Sequence, residues 1–127
     1  MSNDATFSLG SRVRSFQHAL RGLGTLMATQ HNARIHAAAT IGVCGVAYLL
    51  KIANLEWCFI AVSIVAVWTA EALNTALELL CDATVPDVHP LVGRAKDVAA
   101  GGVLISAAGA AVIGILVLGP RALALVP

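Results

Sequence analysis

Charge is what this chain has least of. Only 12% of its 127 residues are Asp, Glu, Lys or Arg, and only 5% are aromatic, while 58% are apolar. A soluble domain is nearer a quarter charged. With a mean hydropathy of +0.83, there is too little polar surface to cover a fold in water, so a lipid bilayer is the natural solvent. The other absences narrow the field. The net charge of +1 comes without a Lys/Arg-rich run, so nucleic acid is not an expected partner. The three cysteines, Cys44, Cys58 and Cys81, are odd in number and have no CxxC spacing. They read as small apolar residues, not as a disulfide framework or a zinc site. No GxxxxGK[ST] loop is present, so any nucleotide would be held by another kind of site. The opening residues MSNDATFSLGSR contain no apolar core or cleavage site, so no signal peptide is expected. The length suits one domain, residues 1–127, without a separate catalytic module.

Three long apolar segments are present, at about 36–53, 56–80 and 98–118. Each approaches the ~20 residues that a helix needs to cross the hydrocarbon core. A backbone in lipid must satisfy its own hydrogen bonds, so these segments are expected as helices. Arg12, Arg14, Arg21 and Arg34 precede the first span, and Arg94 and Lys96 separate the second from the third. Lys51 and Arg121 are left for the other side. Six cations against two place the N-terminus and the second connector in the cytoplasm. Upstream, residues 8–30 carry Leu9, Val13, Phe16, Leu20, Leu23 and Met27 at steps of three and four, with Arg12, Arg14 and Arg21 between them. This is an amphipathic helix, suited both to the cytoplasmic membrane surface and to packing on the bundle. The expected fold is therefore an all-α integral membrane protein, with a surface helix and three transmembrane helices. In the third span, Ser106, Ala110 and Gly114 form a small-xxx-small face that lets another helix approach.

The second span breaks the apolar rule in its last part, EALNTALELLCD. At 100° per residue, Glu71, Asn74, Glu78 and Asp82 fall within about a quarter-turn of one another. A carboxylate in the membrane costs about 3 kcal/mol even on lenient scales, so these residues are expected in a polar cleft and not against lipid. Three spans seem too few to enclose such a stripe, which points to a homo-oligomer. Helix-to-helix hydrogen bonding alone is the plainer reading, but ionisable residues inside membranes are functional by default. Beyond the stripe, HPLVGRAKD supplies Arg94, Lys96 and Asp97. Alone, these residues read as a positive-inside signal with a capping Asp. Beside carboxylates that can hold Mg²⁺, they become the parts of a phosphoryl-transfer site. His18, His31 and His36 read as interfacial, and His89 as a candidate nucleotide contact.

Taken together, ExxNTxxE…D and HPLVGRAKDVAAGGVLI, with SFQHALRGL, NARIH and NLEW, resemble the bacterial membrane-embedded diacylglycerol kinase and undecaprenol kinase family. The resemblance runs from about residue 12 to 118. It implies a homotrimeric, multi-pass kinase of the cytoplasmic (inner) membrane that transfers the γ-phosphate of MgATP to a lipid alcohol. It implies Glu71 as the general base, since a carboxylate withdrawn from water is the stronger base toward an alcohol. It also implies Glu78 and Gln30 as Mg²⁺ ligands. For ATP it implies Asn74, Lys96, Asp97 and Arg14, with Asp87 and His89 near the adenosine. At position 30 the family usually has glutamate, so Gln30 implies weaker metal binding, and Ala33 replaces a usual phenylalanine with consequences for packing. NLEW, NTALE and KDVAAG lean toward undecaprenol over diacylglycerol. The rival classes are a helical scaffold, a proton or cation conduit, and a degenerate kinase. A conduit would need polar residues throughout the span, whereas residues 57–68, WCFIAVSIVAVW, are nearly dry.

Overall fold

The structure is a computed structural model that describes residues 8–85, 87 and 89–125. Residues 1–7, read above as lacking a signal peptide, lie outside this range. Four helices occur in it and no strand: α1 (Leu9–Thr29), α2 (His31–Leu49), α3 (Asn54–Thr84) and α4 (Pro90–Leu123).

Helix α1 ends one residue before α2 begins. Gln30 alone is extended (φ −99°, ψ 120°), and its N–H still bonds to the Leu26 carbonyl. An elbow this tight leaves the last carbonyls of α1 without helical partners. Arg34, one turn into α2, reaches back to supply them, with Nε bonding to the Met27 carbonyl at 3.1 Å and an Nη bonding to that of Ala28 at 2.6 Å. Fully buried Ala33 and nearly buried Leu26 pack the inside of the elbow, where the larger side chain usual at position 33 would not fit unchanged. Arg34, read above only as an orienting charge, is thus the cap that fixes the direction of α2. Arg34→Ala is expected to cost about 1 kcal/mol of stability, as an exposed charged cap does. Thermal unfolding of the variant beside the wild type checks this.

The apolar stripe of α1 faces outward. Leu9, Val13, Phe16, Leu20, Leu23 and Met27 are all exposed, and only Leu26 of this helix is buried. Leu23 and Met27 nevertheless line a shallow groove together with Ile64, Trp68 and Leu73 of α3, so the stripe is compatible with both expected roles.

Helices α3 and α4 form a long antiparallel pair, the most extensive contact in the fold. Both are long and apolar enough to cross a membrane. Only 33% and 6% of their most apolar windows are buried within the chain. Core helices of a soluble protein would be covered, so these faces need lipid or other subunits, and the chain is a membrane protein. Helix α2 falls below the same criterion because its opening turn, HNARIH, is polar. It ends at Leu49, short of the expected 53. The turn after it follows a recognisable pattern, with Lys51 bonding to the Tyr48 carbonyl and Ile52 to that of Ala47. This is the Schellman arrangement, with Lys51 at φ 49° in the left-handed position that glycine usually takes. Below it, Ala47, Ile52, Ile60 and Val117 form the core of the fold.

The second connector is shorter than expected. Helix α3 runs on to Thr84, and α4 starts at Pro90, with His89 as its cap and Pro90 at its first position. His89 Nδ1 accepts the Leu91 N–H at 3.2 Å. Asp97 therefore does not cap the helix: Arg94, Lys96 and Asp97 lie on its second turn. At the opposite end, Glu56 accepts the Ala53 N–H at 2.6 Å and pairs with Arg121 through two contacts, 2.7 and 3.3 Å. This pair ties the start of α3 to the end of α4.

Candidate functional site

The polar stripe of α3 faces α2 and the elbow, and one chain suffices to cover its inner part. Glu71 is 1% exposed, and Asn74 and Thr75 are also buried. The expectation that three spans could not enclose these residues is overturned. The reason is the elbow, which folds α1 and α2 across the stripe. Farther out, Glu78 is half-buried and Asp82 exposed, so the stripe grades from dry to wet toward the α3–α4 connector.

Glu71 is the most unusual group in the fold. Neither carboxylate oxygen takes a hydrogen bond from a described residue, and the same is true of Asn74 Oδ1 and Thr75 Oγ1 beside it. Buried polar atoms are nearly always paired, and an unpaired one costs roughly 1–3 kcal/mol, so such a cluster is characteristic of a site that a ligand completes. His36 Nε2 lies 3.9 Å from Glu71 Oε2 and is itself buried without a hydrogen-bond partner among the described residues. Sequence reasoning placed His36 at the membrane interface together with His18 and His31. The structure corrects this for His36, which points inward from α2. Its inward face is traced by Ala33, His36, Thr40 and Ala47. Thr40, one turn further along that face, accepts a hydrogen bond from Trp68 Nε1 at 3.1 Å. The spacing of these residues at steps of three, four and seven was the available signal.

One turn out from Asn74, Glu78 is held by two amides. Asn74 Nδ2 donates to one oxygen at 3.1 Å, and Gln30 Nε2 donates to the other at 3.4 Å. Gln30 and Glu78 are 48 positions apart in sequence, and only the elbow brings them together. A half-turn of either amide plane exchanges its donor for a carbonyl oxygen, giving one carboxylate and two neutral oxygens on one spot. Among the described residues, no three His, Cys, Asp or Glu side chains cluster to form a full protein cage for a metal. One carboxylate with neutral oxygens fits Mg²⁺, which keeps most of its coordination for water and substrate phosphates. Farther out still, Lys96 of α4 donates to Asp82 of α3 at 2.5 Å.

Of the residues singled out by sequence, Gln30, Glu71, Asn74 and Glu78 thus form one continuous cluster, and Lys96 stands at its wet end. Asp87, His89, Asp97 and Arg14 are exposed, and among the described residues no hydrogen bond or ion pair joins them to the cluster. His36, Thr75 and the Asp82 partner of Lys96 are what the sequence reading did not identify. The small-residue face of α4 also behaves unexpectedly. Ala110 and Gly114 line an apolar cleft of about 290 Å³ between α2, α3 and α4, where a Cβ on Gly114 would meet no atom within 4 Å. Within this chain they leave space open.

Comparison with known sequences identifies the family. The sequence model of the family described as prokaryotic diacylglycerol kinase matches residues 17–118. The chain is similar to an undecaprenol kinase of Bacillus subtilis, 36% identical over 120 residues that cover 94% of this chain and 98% of that relative. It is also similar to a diacylglycerol kinase of a Synechocystis species, 39% identical over 112 residues. That match covers 87% of this chain but 64% of the relative, so the chain spans under two thirds of that protein's length.

Proposed function

The chain belongs to the prokaryotic diacylglycerol kinase family, and from that premise we propose that it is a lipid kinase that transfers the γ-phosphate of MgATP to the hydroxyl of a membrane lipid alcohol. The observation that carries the reading is the graded stripe. A buried, unpartnered carboxylate at Glu71 adjoins an oxygen-donor set around Glu78, with a cation at Lys96 beyond. Undecaprenol is the favoured acceptor, because the similarity to the undecaprenol kinase extends over both chains almost end to end. Diacylglycerol is the second reading.

The division of labour follows depth. Glu71, in the driest position, takes the proton of the lipid hydroxyl as its oxygen bonds to the γ-phosphorus and the bond from that phosphorus to the β-phosphate bridge breaks. The products are the lipid phosphate and ADP. Glu78, with Gln30 and Asn74, would hold Mg²⁺, which supplies charge neutralisation on the phosphates when bound. Lys96 exchanges Asp82 for a phosphate oxygen. Arg14, Asp87, His89 and Asp97, all exposed around the wet end, complete the nucleotide site in this reading. The inside position of six of the eight Lys and Arg residues supports a cytoplasmic N-terminus in a bacterial inner membrane. The bare flanks of α3 and α4 support a third crossing by α2 and a homotrimer of such single-domain chains.

The test is phosphate transfer from MgATP to undecaprenol and to diacylglycerol, followed in parallel with the purified protein in detergent. Transfer to neither lipid alcohol would end the kinase reading. The position of Gln30 adds a separate prediction with opposite signs in two conditions. Gln30→Glu places a second carboxylate where an amide now sits 3.4 Å from Glu78. The Mg²⁺ concentration for half-maximal activity should fall about tenfold, as an added charged ligand gives. In excess chelator the same variant should melt below the wild type, since two carboxylates then face each other unneutralised.

A further inference from the structure

Neither the family description nor the similar proteins' names assign any role to His36. Its position bears on the acceptor half of the reaction and rests on the kinase reading above. The separation between His36 Nε2 and Glu71 Oε2 is 3.9 Å. That is too long for a hydrogen bond between them and too short for an atom to sit on the line joining them. A single oxygen set to one side, about 2.8 Å from each, makes both bonds at an angle near 90°. Both flanking atoms are buried and lack partners among the described residues. The geometry is therefore that of a two-point seat for one hydroxyl oxygen.

The surroundings of this seat state what carries that hydroxyl. His36 also lines the cleft between α2, α3 and α4, where Thr40 and Ser63 are the other polar walls. Ala39, Val43, Ile64, Ala107 and Gly114 are among its walls, so it offers hydrocarbon contact. At about 290 Å³ the cleft has room for roughly ten water-sized groups. It therefore accommodates a short length of hydrocarbon chain attached to the hydroxyl.

We propose that His36 is the acceptor-binding residue: its Nε2–H and the Glu71 carboxylate bracket the lipid hydroxyl at the head of the cleft, where the first carbons of the lipid chain lie. The bookkeeping of the step is complete. The hydroxyl oxygen accepts from His36 with one lone pair, gives its proton to Glu71, and uses its other lone pair on phosphorus. His36 keeps its proton throughout. Its task is to select one rotamer of the alcohol and to hold the oxygen against the carboxylate, which lowers the entropic part of the barrier.

The experiment is steady-state kinetics of wild type, His36→Leu and His36→Gln, with acceptor and MgATP varied separately. Leucine fills similar space without a donor, while glutamine keeps an N–H near the Nε2 position. His36→Leu is expected to raise KM for the lipid alcohol about tenfold, the loss of one hydrogen bond, and to leave KM for ATP within about twofold. His36→Gln should recover most of the loss. A second arm, Gly114→Leu, narrows the cleft and should raise KM for undecaprenol while leaving KM for a short-chain alcohol acceptor unchanged. An unaltered acceptor KM in His36→Leu, or equal effects on both substrates without recovery by glutamine, would overturn the role. Should the leucine variant not fold, His36→Asn, whose amide is too short to reach, takes its place with the same expectation. A wild type that transfers phosphate to no lipid alcohol removes the kinase reading together with this one, so the two failures are distinguishable.

Discussion

Glu71→Gln should reduce phosphate transfer by at least about a hundredfold, and up to ten-thousandfold, the range that a positioned general base contributes. The same variant should melt no lower than the wild type. Both halves come from one observation: the carboxylate is 1% exposed and receives no hydrogen bond from a described residue. An amide of the same shape leaves the packing intact and cannot accept the hydroxyl proton. It also removes whatever burying a charge costs. A purely structural carboxylate would show the reverse pattern, with activity retained and stability lost. Activity assays and melting curves on one preparation separate the two.

Glu78→Gln is expected to lower transfer by about a hundredfold at ordinary Mg²⁺, the upper end of what removing an ordered partner of a metal site costs. In contrast to Glu71→Gln, part of the loss should return at high Mg²⁺, because Gln30 and Asn74 still offer their amide oxygens. The discriminating measurement is a Mg²⁺ titration at saturating ATP. A Glu78→Gln enzyme with wild-type Mg²⁺ dependence would remove Glu78 from the metal site and leave Glu71 untouched.

The parts of this fold that were legible in the sequence are those written in local spacing. The stripe of Glu71, Asn74, Glu78 and Asp82 is a periodicity within one helix, and its graded depth follows from where the helix leaves the apolar zone. The apolar positions of α1 share one face for the same reason. Three features were not legible in local spacing, because each depends on how the chain turns or packs, although the family resemblance implied that Gln30 and Glu78 meet. Gln30 meets Glu78 across 48 positions, and nothing local announces that a single extended residue will turn α1 into α2. Arg34 looked like one more orienting cation, and only the elbow makes it a cap. His36 looked interfacial because its neighbours His31, Asn32 and Arg34 are polar, whereas its own direction is set by the packing of α2 on α3. The start of α4 was different: Pro90 after His89 is a recognisable opening for a helix. The polar run through Asp97 nevertheless reads as connector.

The helical pair α3–α4 is fastened at both extremities, by Glu56 with Arg121 at one end and Asp82 with Lys96 at the other. A ladder held by its top and bottom rungs does not splay. Among the described residues helix α2 has no comparable fastening at its ends: it meets α3 through the hydrogen bond from Trp68 to Thr40, the 3.9 Å approach of His36 to Glu71, and apolar packing. In the proposed kinase, the side of α1 and α2 is therefore where a bulky lipid would reach a carboxylate as enclosed as Glu71, with the single extended residue between them as the pivot. That residue is Gln30, so movement at this joint would also shift the amide that contacts Glu78, and in the proposed kinase the two substrates would be coupled through one backbone joint.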